Sequence, residues 1–282
     1  MRQDSGLNPD ESSLTSRREM IKWAVSGAAV GFGGIALGSA NTGDLHIERA
    51  ELRLRQWDAD GFRVGMASDL HTNSWLEVER ARRAIQMLVE EKPDLIVLPG
   101  DFVNYGDPQS LRWIVESLEP LHEAKCPVLA TLGNHDYSGK NVAGVIDALG
   151  QTAAKLLVNQ SFELDGISIF GFDDAISADH DPVPIIRGNW SRSLLTLLHE
   201  PDLADAMPPG ISLQLSGHSH GGQICLPGGI PMHMPIGAEK YNIGFYPNLP
   251  TPVYVSKGVG TVGPRLRLFC PPEINILTLR SA

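Results

Sequence analysis

The sequence predicts an α/β fold with two sheets and helices outside them, and three observations support this prediction. Between residues 62 and 150, runs typical of buried strands alternate with amphipathic helical runs, an order that implies a parallel sheet covered by helices. After residue 150 the chain is richer in strand-like runs, which predicts a second sheet. Of the 282 residues, 42% are hydrophobic and 20% charged, a balance that excludes a wholly disordered protein.

The first half contains three strand-like runs, each followed by a helical run. We expect strands at 62–68, 94–98 and 127–132 and helices at 77–91, 108–124 and 139–150. In the first helix Val78, Ile85 and Leu88 recur at the spacing of one helical face, and Pro93 ends it. Residues 45–57 are interpreted as a lead-in. Further strands are expected at 156–158, 162–164, 167–172, 194–198, 211–215, 253–257 and 274–279.

Residues 1–40 are interpreted as a targeting segment, and residues 41–282 as one domain. Arg17-Arg18 precedes an uncharged, glycine-rich run from 23 to 40 that ends in the small residues Gly38-Ser39-Ala40. This pattern resembles a twin-arginine (Tat) export signal with its cleavage site, so the Tat machinery is an expected partner. An uncleaved membrane anchor is the alternative. Both interpretations place the domain in the periplasm or on the outer face of the plasma membrane, because basic flanks stay in the cytoplasm.

The acidic balance of the chain limits its partners. A formal net charge of −10 excludes a non-specific nucleic-acid-binding protein, which needs a basic face. An anionic substrate stays compatible with this charge, because bound cations reverse the local field. The three cysteines, Cys126, Cys225 and Cys270, allow at most one bridge and no CxxC zinc site.

Four short motifs at the ends of predicted strands carry the side chains for chemistry. They are Asp69-x-His71, Gly100-Asp101, Gly133-Asn134-His135-Asp136 and Gly217-His218-Ser219-His220, with His199 as a fifth element. Ligands bind at the carboxyl ends of parallel strands, so these side chains are expected to meet. Imidazole, carboxylate and amide groups together suit Zn, Mn or Fe better than Ca or Mg. Seven residues are candidate ligands: Asp69, His71, Asp101, Asn134, His199, His218 and His220.

The number of candidate ligands predicts two ions. Two ions that share one carboxylate would use all seven, and Asp101 is the natural bridge because a carboxylate offers two oxygens. Ions about 3.5–4 Å apart can hold a phosphoryl group and acidify a water between them. Asn134 supplies a neutral oxygen, which limits negative charge near a phosphate.

In this order, the motifs resemble those of the calcineurin-like metallophosphoesterase superfamily over residues 61–222. The extended run 217–224 and the segments 254–260 and 270–274 are similar to its YkuE/YaeI-like phosphodiesterase branch. The resemblance implies a four-layer α/β/β/α sandwich, a non-ligand His135 that faces the leaving group, and two divalent ions. It implies one ion held by Asp69, His71, Asp101 and His220, and a second held by Asp101, Asn134, His199 and His218. Asn104 stands where the family often has an aspartate.

The substrate is left open between several classes. The resemblance implies hydrolysis of a phosphoester by attack of a metal-bridging hydroxide, with a phosphodiester of a small molecule or a lipid as the expected substrate. The alternative is the pyrophosphate bond of a lipid-linked nucleotide such as UDP-2,3-diacylglucosamine, and the non-enzyme alternative is a metal-bound scaffold. The apolar loops 230–236 and 241–252 are expected to contact acyl chains, a membrane surface or the core. Further candidates for the site or its substrate, with turn or surface roles as the alternative, are Asp173, Asp174, His233, Arg265 and Arg267.

The segment Gly217-His218-Ser219-His220-Gly221 also matches the nucleophile elbow of α/β-hydrolases. That fold needs an acid and then a histidine after the serine. The only histidine after His220 is His233, and no acid lies between Ser219 and His233. The sequence therefore favours the metal site over a serine nucleophile.

Overall fold

A computed structural model describes residues 44–178, 190 and 192–282, and these residues form two six-stranded mixed sheets. The segment 1–40, for which we predict an export signal, lies outside the described residues. Among the residues described, no helix combines the length and the apolar character needed to cross a membrane.

The first sheet is mixed and carries the helices. Its strands are β1 (His46–Leu54), β2 (Phe62–Met66), β3 (Leu95–Pro99), β4 (Val128–Thr131), β5 (Lys155–Leu156) and β14 (Glu273–Ser281). The order across the sheet is β1-β14-β2-β3-β4-β5. Strands β2 to β5 are parallel, and β14 runs antiparallel to β2. The helices are α1 (Trp75–Glu90), α2 (Pro108–Leu118) and α3 (Val142–Leu149), and a 3-10 turn at Glu119–Glu123 follows α2.

The second sheet repeats the parallel arrangement at its centre. Its strands are β6 (Gln160–Leu164), β7 (Ile167–Gly171), β8 (Ser193–Leu197), β9 (Leu213–Ser216), β12 (Gly244–Tyr246) and β13 (Val253–Val255). The order is β12-β13-β9-β8-β7-β6, with β7, β8, β9 and β13 parallel. A small hairpin pairs β10 (Cys225–Leu226) with β11 (Ile230–Pro231).

The main cores lie between the two sheets and under the helices. Between the sheets, Met66 and Val97 of the first pack with Leu195 and Leu213 of the second. On the other face of the first sheet, Ile96, Leu98 and Ala130 pack with α1, α2 and α3. Central strands are therefore buried on both faces, which explains why they read as nearly continuous apolar runs.

The outer face of the second sheet has its own apolar layer. Phe170, Phe172 and Leu198 form it together with residues that lead into β9. In the described part of the chain, a 3-10 turn at Pro201–Asp205 contributes to this cover, with Leu203 packed against the layer. The prediction of two mixed sheets with helices outside them is confirmed.

Four strands were not predicted: β10, β11 and β12, of two or three residues each, and the longer strand β1. Residues 45–57, interpreted as a lead-in, contain the nine-residue strand β1, which pairs in parallel with β14 along its whole length. Only Leu52 and Leu54 of this strand are buried. Its charged residues are typical of an edge strand and conceal the alternation that identifies a half-buried strand.

Candidate metal centre

The predicted ligands lie in loops at one common edge of the two sheets. Asp69, Asp101 and Asn134 follow β2, β3 and β4 of the first sheet, and His199 and His218 follow β8 and β9 of the second. All five strands are parallel within their sheets, so their carboxyl ends open toward the same space.

The structure brings the predicted ligands together in two groups. Asp69, His71, Asp101 and His220 form one group, and Asp101, His199 and His218 form the other. Within each group the possible ligand atoms lie within 4.8 Å of one another, and all the residues are buried. Asn134 lines the same cavity as Asp101, His218 and His220. Asp101 belongs to both groups, the position predicted for a shared carboxylate.

The contacts within the centre are short. His71 Nε2 lies 3.1 Å from His220 Nε2 and 3.5 Å from Asp101 Oδ2. His220 Nε2 lies 3.4 Å from Asp69 Oδ1, and His199 Nε2 lies 3.1 Å from Asp101 Oδ2. Nitrogen and oxygen lone pairs therefore converge from several directions on two small volumes.

The backbone of the centre is strained. Asp69, His71, Asp101, His218 and His220 all have positive φ, between 48° and 67°. Residues other than glycine rarely adopt this left-handed region, and such outliers cluster at functional sites. The surrounding structure therefore holds these five side chains against a local preference, which indicates that their positions matter for function.

Two glycines of the motifs are required by close approach to the carboxylates. A Cβ at Gly133 would overlap Asp101 Oδ1. A Cβ at Gly217 would overlap Ser68 Oγ and lie 2.5 Å from Asp69 Oδ2. Neither glycine has a positive φ, so close packing rather than backbone freedom explains both.

Backbone carbonyls orient two of the imidazoles. His199 Nδ1 lies 2.7 Å from the carbonyl oxygen of Pro99, so it carries the proton and leaves Nε2 as the ligand atom. His218 Nε2 lies 2.8 Å from the carbonyl oxygen of Ile236, which leaves Nδ1 available in the same way.

Asp136 is a residue whose role the sequence did not reveal. Its buried carboxylate accepts hydrogen bonds from the backbone N–H of Gly133 (3.0 Å), Asp101 (2.9 Å) and Phe102 (2.9 Å). It therefore ties the loop after β3 to the loop after β4. Its place at the end of the Gly133–Asp136 motif was the only signal that could have found it.

Arg267 does not have either role expected from the sequence. It is fully buried, so it is neither a surface residue nor a contact for phosphate. Its guanidinium donates to the carbonyl oxygens of Gly260, Lys257 and His220, and its Nη2 lies 3.3 Å from His220 Nδ1. Arg267 thus stabilises the loop that carries His220.

Burial controls the protonation of the cluster when no cation is bound. Desolvation lowers the pKa of His71 to about 3 and that of His218 to about 4, so both imidazoles are neutral at pH 7. Burial raises the pKa of Asp69 to about 6. Burial also disfavours a charge on His199, but the negative charges of Asp101 and Asp69 outweigh this effect and raise its pKa well above the usual value. A bound cation would replace the positive charge of protonated His199 as the partner of these carboxylates.

The donor set fits divalent cations. Asn134 Oδ1 is buried and has no hydrogen-bond partner, a costly state unless another group satisfies it. Asn134 belongs to the set predicted for the second ion. Carboxylate, imidazole and amide oxygen together match the preferences of Zn, Mn and Fe.

His135 lies beside the centre but in neither ligand group. Its backbone N–H donates to Asp101 Oδ1 at 2.9 Å, and its ring stands edge-on to His71 with 5.0 Å between centroids. It lines the same cavity as Asn134 and His218. Its imidazole is therefore placed for contact with a bound molecule.

The remaining candidates fall in several places. Asp173 and Asp174 are buried, and Asp173 accepts a hydrogen bond from Tyr137 rather than lining the cavity. Arg265 is exposed and forms an ion pair with Glu77 at 3.3 Å. His233 lines the cavity.

Ser219 is not an activated nucleophile, because its buried Oγ donates to the carbonyl oxygen of Ser256 and accepts from Gly221 N–H. The three cysteines are free thiols.

Comparisons with known proteins agree with this geometry. The family model "Calcineurin-like phosphoesterase" matches residues 62–222. The chain is 33% identical over 285 residues to "Uncharacterized metallophosphoesterase YkuE" of Bacillus subtilis, covering 94% of this chain and 98% of that protein. It is 29% identical over 278 residues to "Phosphodiesterase YaeI" of Escherichia coli, covering 94% and 100%.

A third relative has a more specific name. The chain is 26% identical over 295 residues to "UDP-2,3-diacylglucosamine pyrophosphatase LpxG" of Chlamydia muridarum, covering 83% of this chain and 88% of that protein. The family match spans more than half of the chain and includes every predicted ligand. The chain belongs to the calcineurin-like phosphoesterase family of metal-dependent hydrolases that act on phosphoester bonds.

Proposed function

We propose that this enzyme hydrolyses phosphodiesters at a centre for two divalent ions. Asp69, His71, Asp101 and His220 would hold one ion, and Asp101, Asn134, His199 and His218 the other. The observation that carries the proposal is the meeting of these side chains, from five separate strand ends, around the shared carboxylate of Asp101. Two bound ions would supply Lewis acidity and an activated water nucleophile.

The residues of the chain itself have separate tasks in this proposal. Asn134 adds an uncharged oxygen donor, which keeps negative charge away from the incoming phosphate. The Asp136 carboxylate holds the Asp101 loop by accepting hydrogen bonds from the backbone N–H groups of Asp101 and Phe102. His135 lines the cavity and would donate a hydrogen bond or a proton to the departing oxygen, which makes it the catalytic histidine.

The bond that is cleaved distinguishes the proposal from its alternative. The name of the relative YaeI supports a phosphodiester, and the name of the relative LpxG supports a pyrophosphate bond as the second candidate. Among the described residues, no lysine or arginine lines the cavity, so the walls offer no fixed positive charge for a second phosphate. This observation favours the phosphodiester.

A substrate panel tests the proposal. With Mn or Zn added, we expect bis(p-nitrophenyl) phosphate to have a higher kcat/KM than p-nitrophenyl phosphate or UDP-2,3-diacylglucosamine, and we expect a chelator to abolish turnover. A preference for the pyrophosphate would establish the alternative. Two bound ions without turnover of any of the three would indicate a scaffold. Inactivation by a fluorophosphonate, with no effect of chelator, would revive the serine mechanism.

We also propose that the domain is exported by the Tat machinery and acts in the periplasm or on the outer face of the plasma membrane. The support is the twin arginine before an uncharged run in residues 17–40. We expect the double substitution Arg17→Lys and Arg18→Lys to retain the full-length protein in the cytoplasm, while Arg49→Lys leaves export unchanged. Normal export of the double variant would refute the Tat route. A mature chain that still begins at residue 1 would favour the membrane anchor.

A further inference from the structure

The cavity beside the metal centre has one polar end and one apolar wall. It has a volume of about 450 Å³, and the predicted ligands and His135 form its polar end. The opposite wall comes from two separate segments of the chain. Its apolar side chains are Ile224, Met232, Pro235, Val262 and Pro264.

The polar groups near this wall are already engaged within the protein. Gln223 Nε2 donates to the carbonyl oxygens of Val262 (2.9 Å) and Pro264 (3.2 Å), and its Oε1 accepts from Val262 N–H. Ser219 is bonded to Ser256 and Gly221. A ligand along this wall would therefore find a surface that is almost free of hydrogen-bonding groups, apart from the exposed His233 at its margin.

The segment that contributes Met232 and Pro235 to the wall also carries exposed apolar side chains, which we call the rim. Leu226, Ile230, Met232 and Ile236 lie in one segment, and they are exposed by 49% to 77%. The carbonyl oxygen of Ile236 contacts His218 Nε2, which fixes this segment against the metal centre. Single exposed apolar residues are normal, but a group beside a cavity marks a binding surface.

We propose that this wall and rim bind an aliphatic chain of the substrate, so that the enzyme acts on amphiphilic phosphoesters. The proposal rests on the proposed function, because the phosphate of the substrate must lie at the ions for its aliphatic chain to reach the wall. Apolar side chains without charge match an uncharged chain and offer nothing to a nucleotide or a second phosphate. Each methylene that leaves water for such a wall increases binding about two- to fourfold.

The test uses a series of p-nitrophenyl alkyl phosphates with methyl, butyl and octyl groups, below the concentration at which the octyl ester aggregates. We expect kcat/KM to rise at least tenfold from methyl to octyl. Met232→Gln keeps the length of the side chain but makes it polar, and it should reduce the octyl-to-methyl ratio severalfold. Ile146→Gln changes an exposed apolar residue of α3, outside the cavity lining, and should preserve the wild-type ratio.

A binding measurement supplies a readout that is independent of turnover. By calorimetry, octylphosphonate should bind the metal-loaded enzyme more tightly than methylphosphonate and with a more negative heat-capacity change, the marker of apolar burial. The kcat/KM of p-nitrophenyl phenyl phosphate, compared with that of the octyl ester, tests whether the wall prefers an aromatic group to an aliphatic chain.

The outcomes separate the two proposals. Turnover of the methyl ester with no effect of chain length, in either kcat/KM or phosphonate affinity, would overturn the chain-binding site and leave the phosphodiesterase intact. A phenyl ester that exceeds the octyl ester would overturn the aliphatic assignment. Failure of all the esters, together with failure to bind either phosphonate, would overturn both proposals.

Discussion

At the residue scale, His135 differs from the other histidines of the centre because it belongs to neither ligand group and yet lines the cavity. We expect His135→Ala to lower kcat for a phosphodiester by about 10²- to 10⁴-fold, the contribution of a positioned proton donor. Metal content should stay near two ions per chain. His122→Ala, at an exposed position in the 3-10 turn after α2, is the matched control for kinetics and metal analysis. Unchanged turnover would remove His135 from the mechanism.

The glycine at 217 leads to a second residue-scale prediction. A methyl group there would overlap Ser68 and press on Asp69, so Gly217→Ala should weaken metal binding and cost about 1–3 kcal/mol in the free energy of unfolding. Gly150→Ala is the control, because its φ is −61° and its nearest neighbours are 3.4 Å or more away. Metal titration and urea denaturation measure both effects. Equal behaviour of the two variants would contradict the packing account.

Proton release on metal binding is the third prediction at this scale. Without a cation, the negative charges of Asp101 and Asp69 outweigh the effect of burial and raise the pKa of His199 well above 6.5. Its imidazole is therefore in the charged, doubly protonated form at pH 7. A bound ion displaces that proton, and below about pH 6 it must also displace one from Asp69. Metal affinity should therefore fall as the pH falls. Calorimetry in buffers of different ionisation enthalpy measures the release, and a buffer-independent heat at pH 7 would contradict it.

The sequence predicted the meeting of the seven candidate ligands better than it predicted their surroundings. Each candidate lies just after a recognisable strand, and all but His199 belong to a short motif, so local patterns were sufficient to predict where they meet. The bonds of Asp136 and the burial of Arg267 depend on loops that meet only in the folded chain. The left-handed backbone of Asp69 and Asp101 likewise results from tertiary constraints that override local preference.

At the scale of the element, α2 has a well-defined N-terminal cap that titrates. Asp107 accepts hydrogen bonds from the backbone N–H of Gln109 and Ser110 and from the Ser110 hydroxyl, which lowers the pKa of Asp107. Asp107→Ala should cost about 1 kcal/mol, and Asp107→Asn, which keeps an acceptor oxygen, should cost less.

The stability that the Asp107 cap contributes depends on pH in a definite direction. The folded pKa of Asp107 lies below its unfolded value, so its stabilising effect is complete above the unfolded pKa of about 4. The effect is lost as the pH falls through the lowered folded pKa. The difference in urea midpoint between wild type and Asp107→Ala should therefore shrink at acidic pH. A difference that grows on acidification would contradict the assignment.

Element prediction succeeded for the strong amphipathic patterns and failed for a strand with a remote partner and for a local helix cap. The amphipathic pattern of α1 was sufficient to place that helix. Strand β1 was missed because its partner is β14, at the far end of the chain, and because its surface is charged. The capping by Asp107 was also missed, although an aspartate before Pro108 is a known start signal for a helix.

At the scale of the whole molecule, both sheets contribute candidate ligands to one site at their common edge. The first supplies Asp69, Asp101 and Asn134, and the second supplies His199 and His218. Alternation of strands and helices predicted the first sheet, since parallel strands need crossover helices. The detailed order of the second sheet was beyond the sequence, because β13 returns to pair with β9 after a long excursion and β12 pairs with β13 at the edge.

The most direct test of the central claim is metal analysis of the purified chain together with the variant Asp101→Ala. Asp101 belongs to both ligand groups, so its removal should lower the content of both ions, and with it the activity. Asp147→Ala, an exposed position on α3, serves as the control. The account predicts two divalent ions in wild type and the control and a loss of both sites in Asp101→Ala. Two ions retained in Asp101→Ala would contradict it.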